Sequence, residues 1–162
     1  MASIAQSVAL LVVLCVVQLV SATNDQVQYT IPGMAKKPSP YSAKETIDRL
    51  EKILLDKGLT VFTRVSHSDN AQKAGLQLRD TELIIFGNPR LGTPLMQAAP
   101  SMALDLPQKA LAYTEEDGQT YLAYNYPYYL KWRHRVFDQD PVFNKIVGAL
   151  KKLTDAAVKQ DS

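Results

Sequence analysis

His67 and His134 are the only histidines in the 162 residues. His67 closes the β-branched run LTVFTRVSH and precedes a short helical stretch that Ser68 or Asp69 can cap. From there an imidazole can enter a cleft, where its near-neutral pKa suits acid–base work or metal ligation. The same position equally suits a histidine hydrogen-bonded into its own loop. His134, between Arg133 and Arg135 on the polar side of a short helix, reads as solvated. A metal site needs three or four placed ligands, which two histidines and scattered carboxylates do not supply, so neither metal nor cofactor is expected. Nor does any Gly-x-Ser-x-Gly elbow occur. Ser66 and Ser68 read as turn and cap residues, so no catalytic residue is assigned and an enzyme is not the favoured reading. Glu115-Glu116-Asp117 falls on a hairpin turn, where charge is ordinary.

The stretch FGNPRLGTPLM, residues 86 to 96, is the second candidate. Gly92-Thr93-Pro94 reads as the cap and first turn of a short helix, whose unpaired N–H groups would face Arg90 and suit an anion. The Gly-Lys-Ser/Thr ending of a phosphate-binding loop is absent, which argues against a nucleoside triphosphate. Alternatively, the glycines only permit tight turns. The run YLAYNYPYY, residues 121 to 129, is the third. Strand alternation puts Tyr121 and Ala123 on one face and Leu122, Tyr124 and Tyr126 on the other. Such tyrosines either stack on a ring-bearing ligand, form a dimer interface, or cover the sheet edge. His67, Asn88, Arg90, Thr93, Tyr124 and Tyr126 are therefore the candidate ligand-binding residues, and a small acidic or aromatic molecule is the candidate ligand.

These residues sit in a chain that opens on an apolar run with no charge before Asp25, followed by Val20-Ser21-Ala22. That pattern predicts a secretory signal peptide over 1–22, too short for a membrane span. Its removal leaves 162 − 22 = 140 residues, enough for a single core. The only cysteine, Cys15, leaves with it, so the mature fold must rest on packing rather than disulfides. A formal charge of +2 with dispersed basic residues does not suggest nucleic acid. A secreted protein without stable membrane insertion after cleavage is expected.

Alternation predicts a strand over Val27–Ile31, then a loop through the prolines of 32–40. Ser42-Ala43-Lys44-Glu45 is a capping-box pattern, followed by Ile47, Leu50 and Leu54 at helical spacing and a stop at Lys57-Gly58. Strands follow at Leu59–Val65 and Thr81–Phe86, the latter apolar enough to be central. A hairpin is predicted from Lys109–Thr114 and Thr120–Asn125 around Glu116-Asp117-Gly118. Pro127 can begin a helix with Tyr129, Trp132 and Val136 along one face, and Asp140-Pro141 can begin the last helix, with Phe143, Ile146, Leu150 and Leu153 in its stripe. Few amphipathic helices and a hairpin predict an α+β two-layer sandwich, a mainly antiparallel sheet with helices on one face. The segments are 1–22 signal peptide, 23–41 strand and Pro-rich loop, 42–137 core, and 138–162 amphipathic helix.

Four pieces carry a family resemblance: KGLTVFTRVSH (57–67), AGLQLRDTELIIFGNPRLGTPLMQAAP (74–100), ALDLPQKALAYTEEDGQTYLAYNYP (103–127) and RHR (133–135). Over them the chain resembles the bacterial domain of unknown function 302. The resemblance implies a sheet with helices packed on one face, similar to the TATA-binding-protein type, and implies no activity. The functional expectation is a secreted domain that binds a small molecule or assembles with itself as a homodimer. The alternatives are an enzyme or metal-handling protein centred on His67, or a structural secreted component.

Overall fold

A computed structural model describes residues 31–161. The predicted signal peptide and nearly all of the predicted strand at 27–31 lie outside them. Five strands, β1 (Met34–Ser39), β2 (Thr60–Ser66), β3 (Thr81–Gly87), β4 (Gln108–Thr114) and β5 (Thr120–Asn125), form one antiparallel sheet in the order β1-β5-β4-β3-β2. The helices are α1 (Ala43–Asp56), α2 (His67–Lys73), α3 (Pro89–Ala98), α4 (Pro127–His134) and α5 (Asp140–Val158), with a 3₁₀ turn at Pro100–Leu104. This is the expected α+β architecture.

The helix α1 forms where its capping signal stands. Ser42 Oγ accepts from the Glu45 N–H at 3.2 Å, and Gly58, at φ +69°, ends the helix in the left-handed region. Its apolar stripe of Ile47, Leu50 and Leu54 is fully buried against Ile84, Phe86 and Leu122 of the sheet. Ala110 and Ala112 sit on the same sheet face in the middle strand, and their small side chains leave room for the helix above. Phe143, Ile146, Leu150 and Leu153 of α5 complete the layer beside α1. Each such fully buried side chain contributes about 1.5–3 kcal/mol by leaving water, so this layer holds the fold.

The opposite sheet face carries Leu83, Ile85, Leu111, Tyr113 and Tyr121, all half-buried. Lys36 crosses it, its Nζ 2.9 Å from Glu115 and 4.0 Å from the centre of the Tyr121 ring.

Several expectations need correction. The proline-bearing stretch 32–40 is not a loop but contains β1, because an edge strand can accommodate Pro38 without losing a ladder on both sides. The strand β3 is interior, paired on both sides in keeping with its apolar sequence, and β4 is the middle one of the five. The cap of α2 is Ser66, whose Oγ accepts from Asp69 N–H at 3.1 Å, so His67 is the first helical residue. On α4 the buried residues are Pro127 and Leu130, while Trp132 is 68 % exposed and Tyr129 is exposed too. Arg135, at φ 58°, ends that helix and turns Val136 alone into the core.

Candidate functional site

The helix α3 begins five residues before the sequence pattern placed it, with Asn88 rather than Thr93 as cap. Asn88 Oδ1 accepts from Arg90 N–H at 2.9 Å, and Pro89 supplies a first helical residue that needs no N–H. Leu91 and Gly92 N–H both bond to Asn88 O. The donors that an anion at Gly92-Thr93 would have needed are thus already used, and Thr93 lies inside the helix rather than at its end. Pro94 is interior as well.

What α3 does create is a cavity of about 180 Å³ at one rim of the sheet, between α3, α5, the start of β2 and the loop entering β4. Leu59, Phe86, Leu91, Met96, Ile146 and Leu150 supply most of its walls, and Asn88, Thr93 and Gln108 the polar atoms. Arg90 is exposed between two wall residues in the chain. A space of this size and lining suits a single ring or a short alkyl chain.

Of the six predicted residues, the structure brings Asn88 and Thr93 to this cavity, while Arg90, exposed on the same helix, is outside its lining. His67 is at the opposite end of the sheet: Ser66 pairs with Glu82, five residues before Gly87. At about 3.3 Å per residue, close to 20 Å of strand separates it from Asn88. Tyr124 is 7 % exposed and faces the helices, opposite Ala35 and Ala110 in the two neighbouring strands. It is a core residue. Tyr126 caps α4, its ring 5.8 Å from that of Tyr128 and its N–H donating to Gly33 O at 2.8 Å. The tyrosines on the open sheet face are instead Tyr113 and Tyr121, whose centroids are 6.1 Å apart. There the Glu115 hydrogen bond raises the pKa of Lys36, and burial raises that of Tyr113.

A second cluster was not visible in the sequence. The 3₁₀ turn and α4 pack together, and His134 Nε2 comes within 2.6 Å of Asp105 Oδ2 while its Nδ1 lies 2.9 Å from Ser101 Oγ. His134 is therefore not solvated; its side chain is 5 % exposed. The one available signal was a lone acid, Asp105, in an otherwise apolar loop. Among the described residues, no group of three or more metal-ligating side chains converges.

The model of the family described as domain of unknown function DUF302 matches residues 35–153. Over 102 residues the chain is 46 % identical to proteins called fluoride-specific ion channel FluC 1 from Brucella suis and Brucella abortus. The match covers 63 % of this chain and 40 % or 38 % of theirs, so the chain spans about two-fifths of the length of those curated relatives. A crystal structure of an uncharacterized conserved DUF302 protein from Bacillus stearothermophilus superposes with a TM-score of 0.62 at 22 % identity. It covers 79 % of this chain and 97 % of its own, and at that identity the likeness shows the fold alone.

Proposed function

The chain belongs to the domain of unknown function DUF302 family, and from that premise we propose that it is a secreted domain binding a small aromatic or alkyl carboxylate. The cavity between α3 and α5 carries the proposal. Its walls take the apolar part and Asn88 and Thr93 at its polar margin meet the carboxylate, with the exposed side chain of Arg90, on α3 but outside the lining, assigned as the cation. Burying roughly 150 Å² of apolar ligand surface contributes about 4 kcal/mol, which alone gives a Kd near 1 mM. A charge-assisted bond from Arg90 adds about 1.5–3 kcal/mol, so a Kd of roughly 10–100 μM is expected for a fitting acid.

The test is titration of the protein with benzoate, phenylacetate and hexanoate, followed by NMR shifts of the Leu91, Met96 and Ile146 methyl groups. Ala149, also in the wall, is replaced by Phe to fill the space. Saturable shifts that disappear in Ala149→Phe support the reading. Equal, non-saturating shifts in both proteins overturn it. Secretion is tested separately by sequencing the amino terminus of protein recovered from culture medium, with Thr23 expected first.

Those relatives are named fluoride-specific ion channels. No helix among the described residues is long and apolar enough to cross a membrane, and conduction is not part of this proposal. Self-association is the second reading, favoured by the half-buried apolar row of Leu83, Ile85 and Leu111 on the sheet face away from α1. A monomer by light scattering at millimolar concentration would remove it.

A further inference from the structure

Ser101, His134 and Asp105 form a continuous hydrogen-bonded chain apart from the cavity wall. A carboxylate only accepts, so the proton in the 2.6 Å contact with Asp105 belongs to His134 Nε2. That leaves the Nδ1 lone pair facing the Ser101 hydroxyl at 2.9 Å, and the hydroxyl donates to it. Arg133 Nε stands 3.4 Å from the same Asp105 oxygen. The imidazole and the carboxylate are nearly enclosed, at 5 % and 11 % side-chain exposure, while Ser101 is open to solvent. A nucleophile, a base and an acid that fixes the base's tautomer thus stand in hydrogen-bond order.

We propose that Ser101 is an activated nucleophile toward small acyl esters, with His134 as its general base and Asp105 as the positioning residue. Residues three apart in a 3₁₀ turn are eclipsed, so Leu104, 70 % exposed, stands beside Ser101 as an apolar rest for the acyl chain. Ser101 Oγ bonds to the ester carbonyl carbon as its proton passes to His134 Nδ1. The bond to the leaving alcohol then breaks, and that oxygen takes the proton from Nδ1. Water attacks the acyl-serine, again giving a proton to Nδ1, and the carboxylic acid leaves as Ser101 recovers its hydrogen. None of the three residues lines the cavity, so this proposal and the ligand-binding reading fail independently.

The full chain is treated with an alkyl fluorophosphonate, which a reactive serine displaces at phosphorus with loss of fluoride, and the adducts are mapped by mass spectrometry. Ser42, exposed but serving as the cap of α1, is the internal comparison. General-base assistance is worth 10²–10⁴-fold, so Ser101 is expected to react at least ~100-fold faster than Ser42. Hydrolysis of p-nitrophenyl butyrate should fall at least ~10-fold in Ser101→Ala. In Asp105→Asn, with folding verified by circular dichroism, labelling should slow at least ~10-fold and imidazole ¹⁵N shifts should lose the Nε2–H tautomer. Labelling of Ser101 at the rate of Ser42, or ester hydrolysis unchanged in Ser101→Ala, overturns the proposal. Unchanged labelling in a folded Asp105→Asn protein removes Asp105 from it.

Discussion

The Tyr129 ring lies flat against Gly33, so close that a Cβ on that glycine would fall 2.2 Å from the ring's Cγ. Gly33 also holds φ +78° and accepts the Tyr126 N–H, joining the entry to β1 to the start of α4. Gly33→Ala should therefore cost about 1–3 kcal/mol, combining left-handed strain with the clash. A drop in Tm of roughly 3–10 °C is the expected readout. In the double variant with Tyr129→Ala the steric part disappears and only the backbone part remains. Strict additivity of the two single changes would show that the ring contact is not what matters.

The start of α3 makes a second expectation. Asn88→Ala should lower stability by about 1 kcal/mol, because Arg90 N–H loses its acceptor. Thr93→Val, five positions into the helix, should change stability by less than about 0.5 kcal/mol. Equilibrium urea unfolding measures both, and the opposite order would mean that the helix begins at Thr93.

Arg64 reaches from β2 to three carboxylates: Asp48 at 2.7 Å and Glu51 at 2.8 Å on α1, and Glu82 at 2.5 Å on β3. Burial works against its charge, but the bonds to Glu82, Asp48 and Glu51 outweigh that and raise its pKa. Arg64→Met leaves the acids facing one another without their cation, and a loss of about 1–3 kcal/mol at pH 7 is expected. Protonating the acids relieves that repulsion. Burial works against the Asp48 charge, but its bonds to Lys44 and Arg64 prevail and lower its pKa. The gap between variant and wild type should consequently narrow in acid as pH falls through that depressed value. A gap independent of pH would count against the electrostatic account.

Lys37 is 8 % exposed on the helix-facing side of β1, and its ammonium pairs with Asp155 of α5. Burial alone would raise the Asp155 pKa, but the Lys37 and Lys151 hydrogen bonds prevail and lower it. A carboxylate with a depressed folded pKa stabilises the fold above its unfolded value near 3.9, and that contribution is lost as pH falls through the folded value. Asp155→Asn should thus cost about 1 kcal/mol at pH 7, the acid being partly exposed, and almost nothing near pH 2. Thermal melts at the two pH values supply the comparison.

Local chemistry was legible where it was also decisive. Ser42 caps α1, Gly58 ends it, and the hairpin turns within Glu115–Gln119, because those signals act within a few residues. The start of α3 was misplaced because Gly92-Thr93-Pro94 and Asn88-Pro89 both carry cap chemistry. Pro94 is tolerated inside because the carbonyl it leaves without an N–H is that of exposed Arg90. The tyrosines could be sorted onto two faces, but not told which face met the helices; that depends on Ala110 and Ala112 in the next strand. The contact between Asp105 and His134 spans 29 residues and exists only because the 3₁₀ turn docks on α4. No spacing rule reaches that far.

Both borders of the sheet are interrupted. At one, Pro38 has no N–H to offer; at the other, the register of β2 slips between Val61 and Thr63, with Phe62 thrown outward. An incoming strand would meet a broken row of donors and acceptors on either side. The protein is thereby a poor template for edgewise fibre growth.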